Sequence, residues 1–181
     1  MDSQLQSGTA VMRWIWIDRF EAFESGRMAR TVKNITFAEE HVHDPTPSYP
    51  LFPSSLIIEG LAQTAGLLVG ESRDFQDKVI LAKLPRMEFF GHAVPGDTLT
   101  YEAHVADIRA EGAAVVDVRA LRGNQTLAEG EIVFAFLTAE QAPIDLGDSS
   151  FVFAGPMRAL IRSLRAAEAR SSRPDQEGQA P

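Results

Sequence analysis

The sequence predicts an α+β fold in which one antiparallel β-sheet wraps around a long central α-helix, with an amphipathic helix near the C-terminal end. Two observations carry this prediction. Segments rich in β-branched and aromatic residues come in the order two strands, one helix and four strands, which does not suit a parallel α/β sheet. The helical segment is apolar on nearly all sides, so the sheet must enclose it.

The chain is long enough for one well-cored domain. It has 181 residues, of which 45% are hydrophobic and 23% charged, as in ordinary globular proteins. Changes in composition divide it into a flexible leader, a core domain, a connector with the C-terminal helix, and a disordered tail. Their ranges are 1–10, 11–138, 139–170 and 171–181, in that order.

Charge and composition exclude several classes of function. A net charge of -8 argues against nucleic acid as a partner, and the absence of cysteine removes disulfides, thiolate catalysis and cysteine-based zinc sites. With four histidines and no HExxH motif, we expect no metal site. We also expect no membrane span, because no apolar run approaches the ~20 residues needed. Without an export signal, the predicted location is the cytoplasm.

The first predicted element is a long hairpin. The strings "VMRWIWIDRFEAF" (11–23) and "RMARTVKNITF" (27–37) favour strands, and "ESGR" supplies a glycine turn between them. Four prolines then exclude regular structure from 38–53, which we interpret as a loop. They are Pro45, Pro47, Pro50 and Pro53.

The central helix is predicted over "SSLIIEGLAQTAGLLVGES", residues 54–72. Pro53 followed by Ser54 and Ser55 predicts a start capped by serine side chains. Helical spacing places Glu59 and Gln63 on one narrow stripe of polar and small side chains, together with Gly66 and Gly70. An acid in the middle of an otherwise apolar run suggests chemistry.

Four more strands and a helix follow. The strands are predicted over 77–90, 97–110, 112–122 and 125–137, with turns at "VPGD", "AEG" and "RGN". The segment 155–170 is then predicted as the amphipathic helix. Its inward residues are Met157, Leu160, Ile161 and Leu164, and its outward ones are Arg158, Arg162 and Arg165.

Three strings, in the right order, resemble the 3-hydroxyacyl-[acyl-carrier-protein] dehydratases, which have the hotdog fold. "WIDRFEAFESGRMARTVKNIT" is similar to the family's opening hairpin, and "PLFPSSLIIEGLAQTAG" to its P-x-x-P-G-V-L-x-x-E-x-x-A-Q stretch. "MEFFGHAVPGDTL" is similar to its F-x-x-x-V-x-P-G-D strand entry. The resemblance covers residues 14 to 138. It implies a lyase that removes water from a 3-hydroxyacyl chain held on phosphopantetheine, with no metal or other cofactor.

This elimination needs a base for the C2 proton, an acid for the leaving hydroxyl and donors for the thioester oxygen. A carboxyl group in a dry site keeps its proton near neutrality, so the resemblance assigns the acid to Glu59, oriented by Gln63. The free N–H groups at Ser54 and Ser55 suit the oxyanion role that the family gives to a glycine.

The base is out of register. The family's catalytic histidine, in the motif H-F-P-G, falls on Pro45 of "PTPS". His43 lies two residues earlier and is our candidate base. His41, four residues earlier, and the absence of any catalytic histidine are the alternatives. In the family the histidine and the acid come from opposite subunits, which implies a homodimer, possibly a trimer of dimers.

Other residues have two interpretations each. Four aromatic residues either line an acyl tunnel or pack in the core: Phe52, Phe89, Phe90 and Tyr49. The first three are the tunnel candidates. His92 lies at a tunnel mouth or in a solvated turn, and His104 is structural.

An acidic acyl carrier protein would dock on the outward arginines of the C-terminal helix or on one of three competing cations. Those cations are Arg13, Lys83 and Arg86.

We therefore expect a dehydratase acting on an acyl chain carried by acyl carrier protein or coenzyme A. Two alternatives stay open at this point. One is a non-catalytic hotdog protein that binds an acyl chain or acyl carrier protein, having lost the histidine. The other is a thioesterase of the same fold, in which Glu59 activates water.

Overall fold

The computed structural model describes residues 15–39, 50–109, 112–137 and 159–166. It has six strands, a long helix α1 and a short C-terminal helix α2 within those ranges. The strands are β1 (Arg19–Glu24), β2 (Met28–Asn34), β3 (Lys78–Phe89), β4 (Thr98–Arg109), β5 (Ala113–Arg122) and β6 (Gln125–Leu137). The helices are α1 (Ser54–Glu71) and α2 (159–166).

The strands form one antiparallel sheet in the order β1-β2-β4-β5-β6-β3. Helix α1 packs on one face of this sheet, chiefly against β4, with further contacts to β2, β3 and β5. Every residue from Gly60 to Gly70 is buried. The predicted sheet wrapped around a central helix is confirmed.

Helix α1 approaches the sheet closely at Gly60. A β-carbon at this position would lie 2.3 Å from the ring of Tyr101 on β4, so the helix can pass over the tyrosine only because residue 60 is glycine. One turn later, the hydroxyls of Thr64 and Thr31 hydrogen-bond over 2.6 Å and fix the helix to β2. A glycine in mid-helix costs about 1 kcal/mol against alanine, and the close packing offsets that cost.

Strands β3 to β6 and helix α1 begin and end within one residue of their predicted limits. The predicted first strand, 11–23, is too long: β1 begins at Arg19, residues 15–18 are not in a strand, and 11–14 lie outside the described residues. The backbone hydrogen bonds between this segment and β2 give the reason. The N–H of Asp18 still donates to the backbone oxygen of Val32 over 2.7 Å, whereas the N–H of Trp16 donates to the side chain of Gln63 on α1.

The serine caps predicted for α1 are wrong. The residue before the first helical turn is Pro53, and no side chain caps the helix. The predicted glycine turn between β1 and β2 is confirmed, with Gly26 at φ +66°.

Helix α2 packs on the core through its predicted apolar face. Ile161 is 3% exposed, and Leu160 and Leu164 pack beside it. Arg165 reaches back to the carboxylate of Glu71 at the end of α1, so one of the predicted outward arginines holds the helix in place. Met157 and Arg158 lie outside the described residues, as do the predicted leader and tail.

Among the helices that the structure describes, none combines the length and the apolar character needed to cross a membrane.

Candidate active site

A chain of two hydrogen bonds fixes the carboxyl group of Glu59. The Nε2 amide of Gln63, one turn further along α1, donates to Glu59 Oε1 over 2.9 Å. The backbone N–H of Trp16 donates to Gln63 Oε1 over 2.8 Å. Because a backbone N–H can only donate, it fixes which end of the Gln63 amide faces the carboxyl group.

Glu59 and Gln63 differ in their access to solvent. Gln63 is buried, at 3% exposure, while Glu59 is half-buried at the rim of the packed part of α1. Within the described residues Glu59 takes part in no ion pair, and its hydrogen-bond partner is the Gln63 amide. Among the described residues, the carboxyl group is therefore oriented by a neutral donor.

The N-terminus of α1 is the second element of the site. Leu56 is the first residue whose N–H bonds to Pro53 O, over 2.9 Å, so the N–H groups of Ser54 and Ser55 precede the helical ladder. No acidic side chain stands in the first turn to offset the positive end of the helix dipole. Ser55 lies one turn before Glu59, about 6 Å along the axis. Backbone N–H groups that precede the helical hydrogen bonds and a carboxyl group thus lie one turn apart on α1.

Residues 12–134 match a known family of domains, described as the FabA-like domain. The match covers more than half of the sequence. The chain belongs to the FabA-like domain family. Its fold is accordingly the hotdog fold, as the sequence predicts.

Two relatives of this FabA-like chain are both named as the same dehydratase. The chain is 34% identical to the 3-hydroxyacyl-[acyl-carrier-protein] dehydratase FabZ of Ruminiclostridium cellulolyticum, over 70% of this chain and 89% of the relative. It is 33% identical to the FabZ dehydratase of Listeria monocytogenes, over 67% and 85%. The solved structure of a thioesterase from Haemophilus influenzae superposes with a TM-score of 0.55 at 8% identity, over 69% and 81%. At that identity the likeness shows the fold alone.

The aromatic residues predicted for an acyl tunnel lie in different settings in the FabA-like domain. Phe52 is 2% exposed and packs in the core against Trp16, with ring centroids 5.9 Å apart. Phe89 ends β3 and is exposed, and Phe90 follows it at 54% exposure. Their role in binding an acyl chain stays a prediction.

The histidines divide into two groups. His41 and His43, the candidate bases, lie outside the described residues, as does Tyr49. His92 is exposed in the turn before β4 and offers its backbone oxygen to Arg122. His104 is exposed on the face of the sheet away from α1, in register with Asp117. Within the described ranges no group of three or more histidine, aspartate and glutamate side chains is placed to hold a metal ion.

Sequence reasoning missed Trp16. Its contribution is a backbone N–H, which any residue other than proline offers, so no signal in the sequence marks it. The pairing of Gln63 with Glu59, in contrast, was predicted from the helical spacing of four residues.

Proposed function

We propose that this protein is a dehydratase that eliminates water from a 3-hydroxyacyl thioester, carried on acyl carrier protein or coenzyme A, to give the 2-enoyl thioester. The observation that carries the proposal is the Glu59 carboxyl group, fixed by Gln63 one turn from the uncapped start of α1. The dehydratase names of the FabZ relatives support it.

In the proposed reaction a base takes the proton from C2, and that electron pair forms the C2–C3 double bond. The C3–O bond breaks, and Glu59 gives its proton to the departing hydroxyl, which leaves as water. The N–H groups of Ser54 and Ser55 donate to the thioester oxygen as it gains negative charge. His43 is the proposed base, although Pro45 occupies the position of the family's histidine. The base then returns its proton to Glu59 through water, which restores the starting state.

Acid and base catalysis by side chains suffices for this elimination, so the proposal includes no metal and no organic cofactor beyond the phosphopantetheine that carries the substrate. The cytoplasmic location predicted from the sequence is part of the same proposal.

Docking of an acyl carrier protein on α2 is less well supported. Of the two described arginines of that helix, Arg165 is bound to Glu71, which leaves Arg162 as the cation for docking. Arg86 is paired with Glu88 at 3.3 Å, and this pairing makes its charge less available to an acidic acyl carrier protein.

The working form is proposed to be a homodimer, possibly assembled into a trimer of dimers. Strand β3 is an edge of the sheet, and several large apolar side chains on and beside it are exposed. These are Leu81, Leu84, Phe89 and Phe90. An apolar edge strand invites pairing with another chain. In the family that this chain resembles, the histidine and the acid come from opposite subunits, which is the reason for proposing a dimer.

One alternative has specific support. Proline at the family's histidine position favours a hotdog protein that binds an acyl chain or acyl carrier protein without catalysis. A thioesterase of the same fold, in which Glu59 activates water on the thioester carbonyl, is the other outcome that the experiment below can detect.

The deciding experiment incubates the purified protein with 3-hydroxyacyl and 2-enoyl carrier proteins and follows the mass of the carrier. Loss or gain of one water supports the dehydratase, release of the acyl chain supports the thioesterase, and an unchanged mass supports the binding protein. Glu59→Gln should remove turnover, and His43→Ala should lower it severely. His104→Ala, which alters an exposed histidine on the opposite face of the sheet, is the matched control and should leave turnover unchanged. Full turnover in His43→Ala would remove His43 from the reaction.

A further inference from the structure

Lys33 on β2 is a buried cation. It is 8% exposed, although lysine is almost never buried without a partner. Its Nζ lies 2.7 Å from Glu39 Oε1 and 3.6 Å from Asp18 Oδ1. The charge is thus paired, but an ion pair held away from water is weak evidence for a role in stability, because desolvation cancels much of the attraction. Its position has to be explained in another way.

The surroundings of Lys33 connect it to the active site. Its Nζ lies 5.9 Å from the centre of the Trp16 ring, on the ring face, at a cation–π distance. The backbone N–H of the same Trp16 holds Gln63, which in turn holds Glu59. Two contacts therefore separate the lysine cation from the amide that orients the carboxyl group.

Lys33 and Trp16 contact the chain on the two sides of the segment that carries His41 and His43. Glu39, the partner of Lys33 at 2.7 Å, is the last described residue before that segment. Phe52 follows the segment and packs against Trp16, with ring centroids 5.9 Å apart. The lysine and the tryptophan form one unit that contacts Glu39, Phe52 and Gln63.

We infer that Lys33 is a positioning residue for Glu59, acting through Trp16 and Gln63. The inference rests on the proposed function for its kinetic consequences, and on the contacts of Trp16 for its structural ones. Replacing the lysine cation frees the Trp16 ring to shift, and the N–H that fixes the Gln63 amide shifts with it. A misplacement of the carboxyl group by about 1 Å costs on the order of 100-fold in rate.

The test compares three variants with the wild type. Lys33→Met removes the charge with a side chain of similar length. Lys33→Met/Glu39→Gln removes both charges of the closer pair, so that Glu39 is not left as an unpaired anion. Arg27→Met, at the exposed ion pair of Arg27 with Glu24 in the β1–β2 turn, is the control. Folding is checked by circular dichroism and thermal unfolding in each case.

Two readouts are measured. The first is the hydrogen exchange of the Trp16 amide and the NMR signals of the Gln63 side-chain amide, neither of which depends on activity. Both Lys33 variants should exchange the Trp16 amide about tenfold or more faster than the wild type, relative to amides of β5. The second is kinetic: kcat should fall on the order of 10- to 100-fold, while KM stays within about a factor of two. Arg27→Met should change neither.

The double variant decides between positioning and a purely structural role. If its thermal stability returns to that of the wild type while kcat stays low and Trp16 exchange stays fast, the inference holds. If activity returns together with stability, Lys33 only stabilises the fold and the inference is overturned. Unchanged Trp16 exchange and unchanged Gln63 signals in a folded Lys33→Met protein also overturn it. If the wild type does not dehydrate the substrate, the proposed function fails, and the exchange and NMR results alone decide the role of Lys33.

Discussion

Gln63 donates its side-chain amide to Glu59 over 2.9 Å while its own oxygen accepts the N–H of Trp16 over 2.8 Å. The amide is thus bound at both ends. Glutamine is suited to this position because it is neutral, carries a donor and an acceptor, and faces one group of each kind. Among the residues that the structure describes, the carboxyl group is oriented by this amide and not by an ion pair.

Gln63→Glu should lower kcat strongly. The new carboxyl group can still accept the N–H of Trp16, but when ionised it has no donor for Glu59 and repels the ionised form of that residue. We expect kcat to fall on the order of 10- to 100-fold, with its dependence on pH displaced from that of the wild type. Gln76→Glu, in the exposed turn after α1, is the control for an added charge. Equal kcat and equal pH profiles in Gln63→Glu and the wild type would contradict the orienting role.

Gly60→Ala should destabilise the fold although alanine is the better helix former. The added carbon would lie 2.3 Å from the ring of Tyr101, so the helix or the ring must move. Overpacking costs about 1–3 kcal/mol, and a 2.3 Å contact corresponds to the upper part of that range, above the ~1 kcal/mol that alanine gains in helix propensity. Urea unfolding of the variant and the wild type measures the difference.

A double-mutant cycle with Tyr101→Leu tests the cause. Burial, followed by the charges of Asp18 and Glu39, raises the pKa of Tyr101, so the phenol is neutral at every working pH and its loss removes no charge. If the clash is responsible, Gly60→Ala/Tyr101→Leu will be less destabilised than the two single variants added together. Strict additivity would contradict the explanation.

The sequence predicted the fold well because its signals are local and repeat along the chain. Strands with β-branched and aromatic residues, glycine turns and an apolar helix can each be recognised from a few neighbouring residues. The limits of α1 and of β3 to β6 follow from these local patterns. The stripe that contains Glu59 and Gln63 also follows, since residues four apart in a helix are neighbours.

Contacts between distant segments could not be predicted in the same way. Trp16 was assigned to a strand, because its side chain and its neighbours have strand character, but its N–H is used by Gln63, 47 positions away. The sequence pattern places Lys33 on a strand and gives no sign of its partners, and only the structure brings Glu39, Asp18 and Trp16 around it. The serine caps failed because Pro53 already fixes the chain at the entry to α1.

Glu102→Gln should destabilise the protein at neutral pH and less so in acid. Glu102 is 5% exposed on the outer face of the sheet, between Arg119 at 2.8 Å and Arg30 at 2.6 Å. Burial alone would raise the pKa of Glu102, but hydrogen bonds and charge from Arg119 and Arg30 outweigh it, and the pKa lies below its usual value. A lowered pKa in the folded state adds stability above the unfolded pKa of about 4.3. That contribution is lost as the pH falls through the folded pKa.

The measurement is urea unfolding of both proteins from pH 7 down to pH 3. At pH 7 we expect Glu102→Gln to lose about 1–2 kcal/mol, less than a fully buried pair would lose, because both arginines are about half exposed. The difference should be constant down to about pH 5 and shrink below it. A difference that grows as the pH falls would have the wrong sign for this arrangement.

Charge placed on the edge strand should separate the proposed dimer. Leu81 and Leu84 lie on β3, the free edge of the sheet, and are 38% and 37% exposed. Leu81→Lys/Leu84→Lys would set like charges against each other wherever two copies of β3 meet, which natural edge strands use to prevent pairing. Sedimentation velocity should show a shift from dimer to monomer. If the partner supplies the base, turnover should fall in step with the dimer fraction and rise again with protein concentration.

Ile108→Lys is the matched control for this variant. Ile108 is 40% exposed and equally apolar, but it lies on β4, an inner strand whose two neighbours are β2 and β5. A lysine there changes surface charge and apolar area without touching the free edge, so assembly and turnover should match the wild type. If the edge variant stays dimeric, or if Ile108→Lys separates the subunits to the same degree, β3 is not the surface through which two copies join. A monomeric edge variant with full turnover would instead show that one subunit holds a complete site, and the histidine partner of Glu59 would then have to come from the same chain.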